Sequence, residues 1–343
     1  MNFQEMNKWI LSACAFFVWG AASVRAQQLV LRFGSDKTFK IAQFTDMHLD
    51  PSKPRGLAEA EKSFARLDRI LATERPDLVV FTGDVVTGAP AEGMWRRLLD
   101  TMTARRVPFC VVLGNHDSEQ DLSRQQIGRI VTSYPGSLNA LDAAGELADR
   151  ELEILGSGSR RPVWLLYCLD SHSESLLEGI DGYDWFRPEQ VAWLRDRCTA
   201  RRTANGGRAV PSLAFFHIVL PEYLAAWRNP SNTHIGRAAE AECPGALNTG
   251  MFAAMIETGS VAGTFVGHDH DIDYLVAEKG VCLGYGRFSG DNTTYNNLRP
   301  GVRLLLLTEG ERGFETWIRE DDGRMVDHAR FAEGKITEIA VER

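Results

Sequence analysis

The stretch FKIAQFTDMHL at residues 39–49 decides the fold, because an apolar run of strand length ends there in two polar residues, Asp46 and His48. Similar runs recur downstream: LVVFTGD at 78–84, FCVVLGNHD at 109–117, LAFFH at 213–217 and VAGTFVGHDH at 261–270. The ends of these runs supply the following polar residues: Asp46, His48, Asp84, Asn115, His116, Asp117, His217, His268 and His270. Only a fold that gathers distant strand ends at one edge can use such a set.

Helical patterns lie between the apolar runs. Leu57, Phe64, Leu67 and Leu71 recur at the spacing of one buried helix face. Pro188 occupies a favoured position in the first turn of another predicted helix. The resulting alternation of strand and helix predicts an α/β fold that finishes in an antiparallel tail. In open α/β sheets, ligands bind at the carboxyl ends of strands, where these polar residues fall.

Residues 118–160 are the least regular part of the pattern, and we expect a surface excursion there that is partly helical. The chain contains neither a long Pro/Ser-rich linker nor an internal repeat, which favours a single domain. Asp170 and His172 also end a strand-like run at the same edge, and we expect them to be structural.

The formal net charge of −8 disfavours long nucleic acid as a partner, because an acidic protein does not attract polyanions through its overall field. An anionic substrate must therefore be held locally, for example by metal ions. The cysteines give no clean disulfide framework, although Cys198 and Cys243 could pair in an oxidising compartment. The sequence does not predict the oligomeric state.

Residues 1–26 have the pattern of a signal peptide. A polar start with Lys8 precedes an uncharged, mostly apolar run, and Val24-Arg25-Ala26 offers a small-x-small cleavage site. We therefore expect a periplasmic or extracellular protein without a transmembrane segment. A lipid anchor at Cys14 is the minority alternative, since the apolar run continues past that residue.

Each strand-end motif has an ordinary structural explanation when it stands alone, because Asp and His at strand ends commonly make turns and caps. Together, the His, Asp and Asn side chains fit two divalent sites of mixed nitrogen and oxygen ligation. The pattern D-x-H, G-D, G-N-H-D, H, G-H-x-H resembles that of the calcineurin-like metallophosphoesterase superfamily. The resemblance covers roughly residues 38–310.

The resemblance implies a four-layer αββα sandwich of two mixed sheets, with the metal site at the carboxyl ends of the strands. Its domain would span 36–310, and strands in 311–343 would complete the same domain. One metal would take Asp46, His48, Asp84 and His270, and the other Asp84, Asn115, His217 and His268. The metals would be Mn, Fe or Zn.

The resemblance also assigns His116 and Asp117 a catalytic function rather than a ligand function. His116 would act near the leaving group as a general acid or hydrogen-bond donor, and Asp117 would orient the His116 ring. Arg287 could contact the substrate phosphate, since Arg suits bidentate phosphate binding, and a surface ion pair is an equal alternative.

Within the superfamily, the chain resembles a subgroup related to purple acid phosphatases. The segments that carry this resemblance are QFTDMHL, VVFTGD, FFHIVLPEY, GHDH and GYGR. Purple enzymes carry a Tyr ligand three residues after the bridging Asp, and this chain has Thr87 there. We therefore expect a colourless protein.

The predicted function is an exported two-metal phosphoesterase that cleaves small phosphomonoesters by direct attack of a metal-bound hydroxide. A phosphodiesterase with the same centre is the first alternative, with a cyclic nucleotide, a phospholipid headgroup or a nucleic-acid end as its substrate. A non-catalytic metal-binding protein is the second alternative. The sequence contains no P-loop, G-x-G-x-x-G or G-x-S-x-G motif that would indicate other chemistry.

Overall fold

The computed structural model of the protein describes residues 29–292 and 297–340. The predicted signal peptide at 1–26 lies outside these ranges. Within them, no helix combines the length and the apolarity that crossing a membrane requires.

The described residues form six α-helices: α1 (Gly56–Glu74), α2 (Ala91–Arg105), α3 (Arg124–Thr132), α4 (Pro188–Ala204), α5 (Glu222–Arg228) and α6 (Met251–Thr258). They also form the following strands: β1 (Leu31–Arg32), β2 (Thr38–Phe44), β3 (Leu78–Thr82), β4 (Phe109–Val112), β5 (Arg150–Leu155), β6 (Pro162–Cys168), β7 (Ser212–Phe215), β8 (His234–Ile235), β9 (Val261–Val266), β10 (Leu275–Glu278), β11 (Val281–Tyr285), β12 (Gly301–Thr308), β13 (Phe314–Glu320), β14 (Met325–Ala332) and β15 (Lys335–Glu338).

The strands make two mixed sheets. Sheet A has the order β1-β5-β6-β7-β9-β11-β10-β8, and its centre from β6 to β11 is parallel. Sheet B has the order β15-β14-β13-β12-β2-β3-β4, in which β2, β3 and β4 are parallel and β12 to β15 are antiparallel. The strands of the predicted tail therefore extend the sheet that begins with β2.

The two sheets pack face to face, and helices cover both outer faces. Alternate residues of β3 show this arrangement. Leu78 and Val80 belong to the core between the sheets, whereas Val79 and Phe81 belong to the core that sheet B shares with α1, α2 and α3. Sheet A shares a third core with α4, α5 and α6. The four-layer αββα sandwich is thus confirmed, and burial on both faces explains why the strands are almost wholly apolar.

Helix α1 follows its predicted face with one exception. Phe64, Leu67 and Leu71 are buried, but Leu57 is 60% exposed. Leu57 lies in the first turn, where the buried positions are taken by Gly56 and Ala60.

The irregular segment 118–160 is more ordered than its pattern suggests. It contains α3, as partly expected, and also β5, which was not predicted. Strand β5 alternates charged residues with apolar ones, and Leu152 and Ile154 enter the core between the sheets. The charged residues on its other face made this short strand hard to recognise.

Cys198 is buried and Cys243 is exposed, and both are free thiols in the structure. The Cys198 sulfur lies 3.4 Å from the hydroxyl oxygen of Tyr167. The possible pairing of the two cysteines is therefore not realised in this structure.

Candidate metal centre

The polar residues that follow β2, β3, β4, β7 and β9 meet where the edges of the two sheets come together. The backbone N–H of His268, after β9 in sheet A, contacts both carboxylate oxygens of Asp46, after β2 in sheet B, at 3.2 and 3.1 Å. Nδ1 of His217, after β7, donates to the Thr82 carbonyl in β3 at 2.7 Å. The strand ends of the two sheets are thus tied directly to one another.

One group of candidate ligands consists of Asp46, His48, Asp84 and His270, all buried, with ligand atoms within 4.8 Å of one another. Nε2 of His48 lies 3.0 Å from Nε2 of His270 and 3.7 Å from Oδ2 of Asp84. Nε2 of His270 lies 3.6 Å from Oδ1 of Asp46. These are the residues expected around the first metal.

Members of the second predicted set also lie close to Asp84. Nε2 of His217 lies 3.4 Å from Asp84 Oδ2 and 3.1 Å from Asn115 Oδ1. The ring centroids of His217 and His268 are 5.1 Å apart. Because the Thr82 carbonyl can only accept, His217 carries its proton on Nδ1 and leaves Nε2 for a ligand. Asp84 Oδ2 therefore lies between two groups of donors.

One buried atom in the second set supports the binding of an ion. Nε2 of His268 finds no hydrogen-bond partner among the residues that the structure describes. Buried polar atoms without a partner are uncommon and call for an explanation such as an ion. Imidazole nitrogens and carboxylate oxygens are ligands that zinc, manganese and iron accept. The residues present thus fit a metal centre.

The backbone is strained where the ligands sit. Asp46, His48, Asp84 and His268 have φ values of 49°, 42°, 50° and 80°. Residues other than glycine rarely adopt this left-handed region, and such strain concentrates at functional sites. The strain thus falls on four of the seven candidate ligands.

Glycines make room for these ligands. A Cβ on Gly114 would collide with the side chains of Asp84 and His217, and one on Gly267 would collide with those of Thr45 and Asp46. The glycine of each motif is therefore required by close approach of a ligand.

The electrostatics favour a cation. Burial opposes the charge on Asp84, but the rings of His217 and His48 outweigh it and hold the pKa of this carboxyl well below its usual range. Burial also opposes a charge on His217, yet Asp84 raises the pKa of that ring to about 10. Burial lowers the pKa of His48 to about 4 and that of His268 to about 3. Burial opposes a charge on His270, but Asp46 outweighs it and raises the pKa of that ring. The centre thus offers an ionised carboxylate at Asp84 and neutral rings at His48 and His268. A metal would displace the proton of His217.

The family model of the calcineurin-like phosphoesterases matches residues 39–271 of this chain. The matched region runs from β2 through the last candidate ligand, His270.

The chain belongs to the calcineurin-like phosphoesterase family.

Among the relatives is a protein of Arabidopsis thaliana named probable inactive purple acid phosphatase 29, which is 32% identical over 339 residues, with 87% of this chain and 86% of that protein covered. A Saccharomyces cerevisiae protein named phosphatase DCR2 is 29% identical, with 82% of this chain and 53% of the yeast protein covered.

A solved dimetal phosphatase from Danio rerio has a similar fold, with a TM-score of 0.57 and 14% identity over 86% of this chain and 99% of its own. A purple acid phosphatase from yellow lupin gives a TM-score of 0.51 at 14% identity, with 86% of this chain and 54% of the lupin chain covered. At this identity the two structures show the fold alone.

Within the family's G-N-H-D motif, the structure separates His116 from Asp117. The Asp117 carboxylate is fully buried and accepts hydrogen bonds from the backbone N–H groups of Val85 (2.8 Å), Val86 (3.0 Å) and Gly114 (2.7 Å). Its predicted role of orienting the His116 ring is therefore corrected: Asp117 joins the loop after β3 to the loop after β4.

Glu119 contacts the His116 ring instead. Nδ1 of His116 lies 2.6 Å from Oε2 of Glu119, and both side chains are partly exposed. The His116 backbone N–H donates to Oδ1 of Asp84 at 2.9 Å, which places His116 beside the candidate ligands. The sequence signal for Glu119 was weak, since a carboxylate three residues along a loop has no fixed direction.

The Arg287 side chain is buried and already engaged. Its guanidinium forms an ion pair with Asp273, lies 3.1 Å from Glu320 and donates to the carbonyl of Arg299 at 2.7 Å. The ion-pair alternative thus describes the arrangement, although the pair is buried rather than on the surface.

The pattern also missed Tyr183, whose ring packs edge-on against the His268 ring with centroids 4.2 Å apart. Asp170 has the expected structural role, since its carboxylate pairs with Arg124 and accepts from the backbone of His172.

Proposed function

We propose that this protein is an exported phosphoesterase that uses two metal ions to hydrolyse small phosphomonoesters by direct attack of water. The observation that carries the proposal is the position of Asp84 between the group around His48 and the group around His217. One carboxylate shared by two groups of neutral and anionic donors suits a pair of ions.

A bound pair of ions would activate water at neutral pH and neutralise charge on the phosphoryl oxygens. The residues Asp46, His48, Asp84 and His270 would hold one ion, and Asp84, Asn115, His217 and His268 the other. Mn, Fe and Zn all accept this donor set, and Thr87 in place of a tyrosine ligand predicts a colourless protein.

His116 would act beside the candidate ligands, near the leaving group of the substrate. Its ring is 41% exposed, so a substrate can reach it, and its centroid lies 6.0 Å from that of His48. With Nδ1 held by Glu119, Nε2 is free to donate a proton or a hydrogen bond to the leaving group. A protein that only stored metal would have no use for this ring, which supports a catalyst over a non-catalytic binder.

The substrate is proposed to be a small phosphorylated molecule, because the net charge of −8 opposes the gathering of long nucleic acids. Export follows from the signal-peptide pattern at 1–26. A phosphodiesterase is the second candidate, since the same donor groups would serve either ester. The names of several plant relatives call those proteins inactive, so activity needs a direct test.

The test uses protein reconstituted in turn with Mn²⁺, Fe²⁺ or Zn²⁺, assayed on p-nitrophenyl phosphate and bis-p-nitrophenyl phosphate. Asp84→Asn is compared with Asp170→Asn, a matched control at the same edge but outside both donor groups. Elemental analysis reports metal per chain, and circular dichroism reports folding.

We expect about two ions per wild-type chain and faster turnover of the monoester. Asp84→Asn should lose metal and activity while keeping its fold, and Asp170→Asn should retain both. Wild-type turnover by Asp84→Asn would contradict the shared-carboxylate assignment. Faster turnover of the diester would favour the second candidate. Retention of configuration with a chiral phosphate substrate would exclude direct attack by water.

A further inference from the structure

The Thr87 side chain reaches the ring of His48. Its hydroxyl oxygen lies 3.2 Å from Nδ1 of that ring. Thr87 is not among the candidate ligands, and the family resemblance assigns it no role. The hydroxyl is nevertheless the partner of a ring nitrogen that the metal would not use.

Backbone pairing fixes the position of Thr87. The segment after β3 runs beside the segment after β2: the N–H of His48 donates to the carbonyl of Asp84 (2.9 Å), that of Leu49 to Val85 (3.0 Å), and that of Thr87 back to Leu49 (3.2 Å). The backbone hydrogen bonds that position Asp84 therefore also place the Thr87 hydroxyl beside His48. Little side-chain entropy is lost in making the contact, because Thr is stiff at χ1.

The contact matters because a neutral imidazole carries one proton and can offer only its other nitrogen to a metal. Nε2 of His48 faces Nε2 of His270 at 3.0 Å and Asp84 at 3.7 Å, whereas Nδ1 faces Thr87. A hydroxyl that accepts from Nδ1–H keeps the lone pair on Nε2. The same hydrogen bond also fixes the rotation of the His48 ring about its Cβ–Cγ bond.

We propose that Thr87 is a positioning residue that selects the metal-ready tautomer and orientation of His48. The inference rests on the proposed function, because it assumes that His48 binds an ion through Nε2. Partners of this kind on a ligating histidine typically change metal affinity by about 10- to 100-fold when they are removed.

The test compares Thr87→Val, which removes the hydroxyl and keeps the branched shape, with Thr87→Ser, which keeps the hydroxyl. Zn²⁺ alone is the probe, and its affinity for the metal-free protein is measured by competition with a chromophoric chelator. Urea unfolding of the metal-free variants runs alongside. This readout does not depend on activity.

We expect Thr87→Val to weaken one of two Zn²⁺ sites by about 10- to 100-fold, while the affinity of Thr87→Ser stays within about threefold of wild type. The urea midpoints of the metal-free proteins should agree.

Three results would overturn the inference. The first is an unchanged Zn²⁺ affinity in Thr87→Val, and the second is a loss of Zn²⁺ affinity in Thr87→Ser as large as that in Thr87→Val. The third is a loss of stability in metal-free Thr87→Val that accounts for its weaker Zn²⁺ binding. A wild-type protein that binds no Zn²⁺, Mn²⁺ or Fe²⁺ would instead overturn the proposed function.

Discussion

Asp117 should contribute to folding rather than to proton transfer, and its replacement gives the sharpest test of the geometry. Its carboxylate accepts three backbone N–H bonds of 2.7 to 3.0 Å, from Val85, Val86 and Gly114. The side chain is fully buried, so water cannot replace it without entering the core. Asp117→Ala therefore leaves three donors unsatisfied, and Asp117→Asn places an amide against at least one of them.

The expected loss of stability follows from this count. A hydrogen bond to a charged group contributes about 1.5–3 kcal/mol, and losses within one cluster are not additive. We therefore expect Asp117→Ala to lower the free energy of unfolding by at least about 3 kcal/mol, and Asp117→Asn by about 2 kcal/mol. With a urea m-value of about 3 kcal/mol/M, the Ala variant should unfold roughly 1 M earlier than wild type.

The assay is urea unfolding of the metal-free protein followed by circular dichroism, so that metal binding does not contribute. Glu119→Gln serves as the control, because its exposed side chain should change stability by less than about 0.5 kcal/mol. If Asp117→Ala unfolded within about 0.5 kcal/mol of wild type, the carboxylate would not hold the two loops as described.

Three further predictions concern side chains around the centre. Glu119→Gln should reduce kcat by roughly 3- to 30-fold with little change in metal content, because the ring of His116 loses its charged partner. Steady-state kinetics and elemental analysis measure the two quantities. An unchanged kcat would show that Glu119 does not orient His116 for catalysis. Arg287→Ala should lower the free energy of unfolding by about 3–5 kcal/mol, because it leaves Asp273 as a buried charge without its cation, whereas Glu320 keeps its ion pair with Arg324. Urea unfolding measures this, and a rise in KM at unchanged stability would instead indicate that Arg287 contacts the substrate. Burial, reinforced by Asp269, raises the pKa of the Cys243 thiol to about 11, so its alkylation by iodoacetamide should keep accelerating above pH 9. Cys243→Ser is the control, and a rate that levels off near pH 9 would contradict the prediction.

The sequence by itself determined the fold class and predicted the candidate ligands. Apolar runs that end in Asp46, Asp84 or His268 fix strand direction, and parallel strands necessarily deliver their carboxyl ends to one edge. Strands such as β3 do not alternate polar and apolar residues, and this pattern predicts that both of their faces are buried. These are local properties of the chain, so pattern and spacing suffice to predict them.

Only the tertiary structure decided which groups meet across the strand ends. Asp117 adjoins His116 in sequence, yet its carboxylate faces backbone donors in the loops after β3 and β4, and Glu119 contacts the His116 ring. Arg287 follows the end of β11 closely, but its guanidinium is buried against Asp273 and lies near Glu320 at the end of β13. Thr87 meets His48 because the segments after β2 and β3 run side by side. Apart from the pair of His116 and Glu119, these contacts join segments that are far apart in the chain, and no local pattern encodes the distances between such segments.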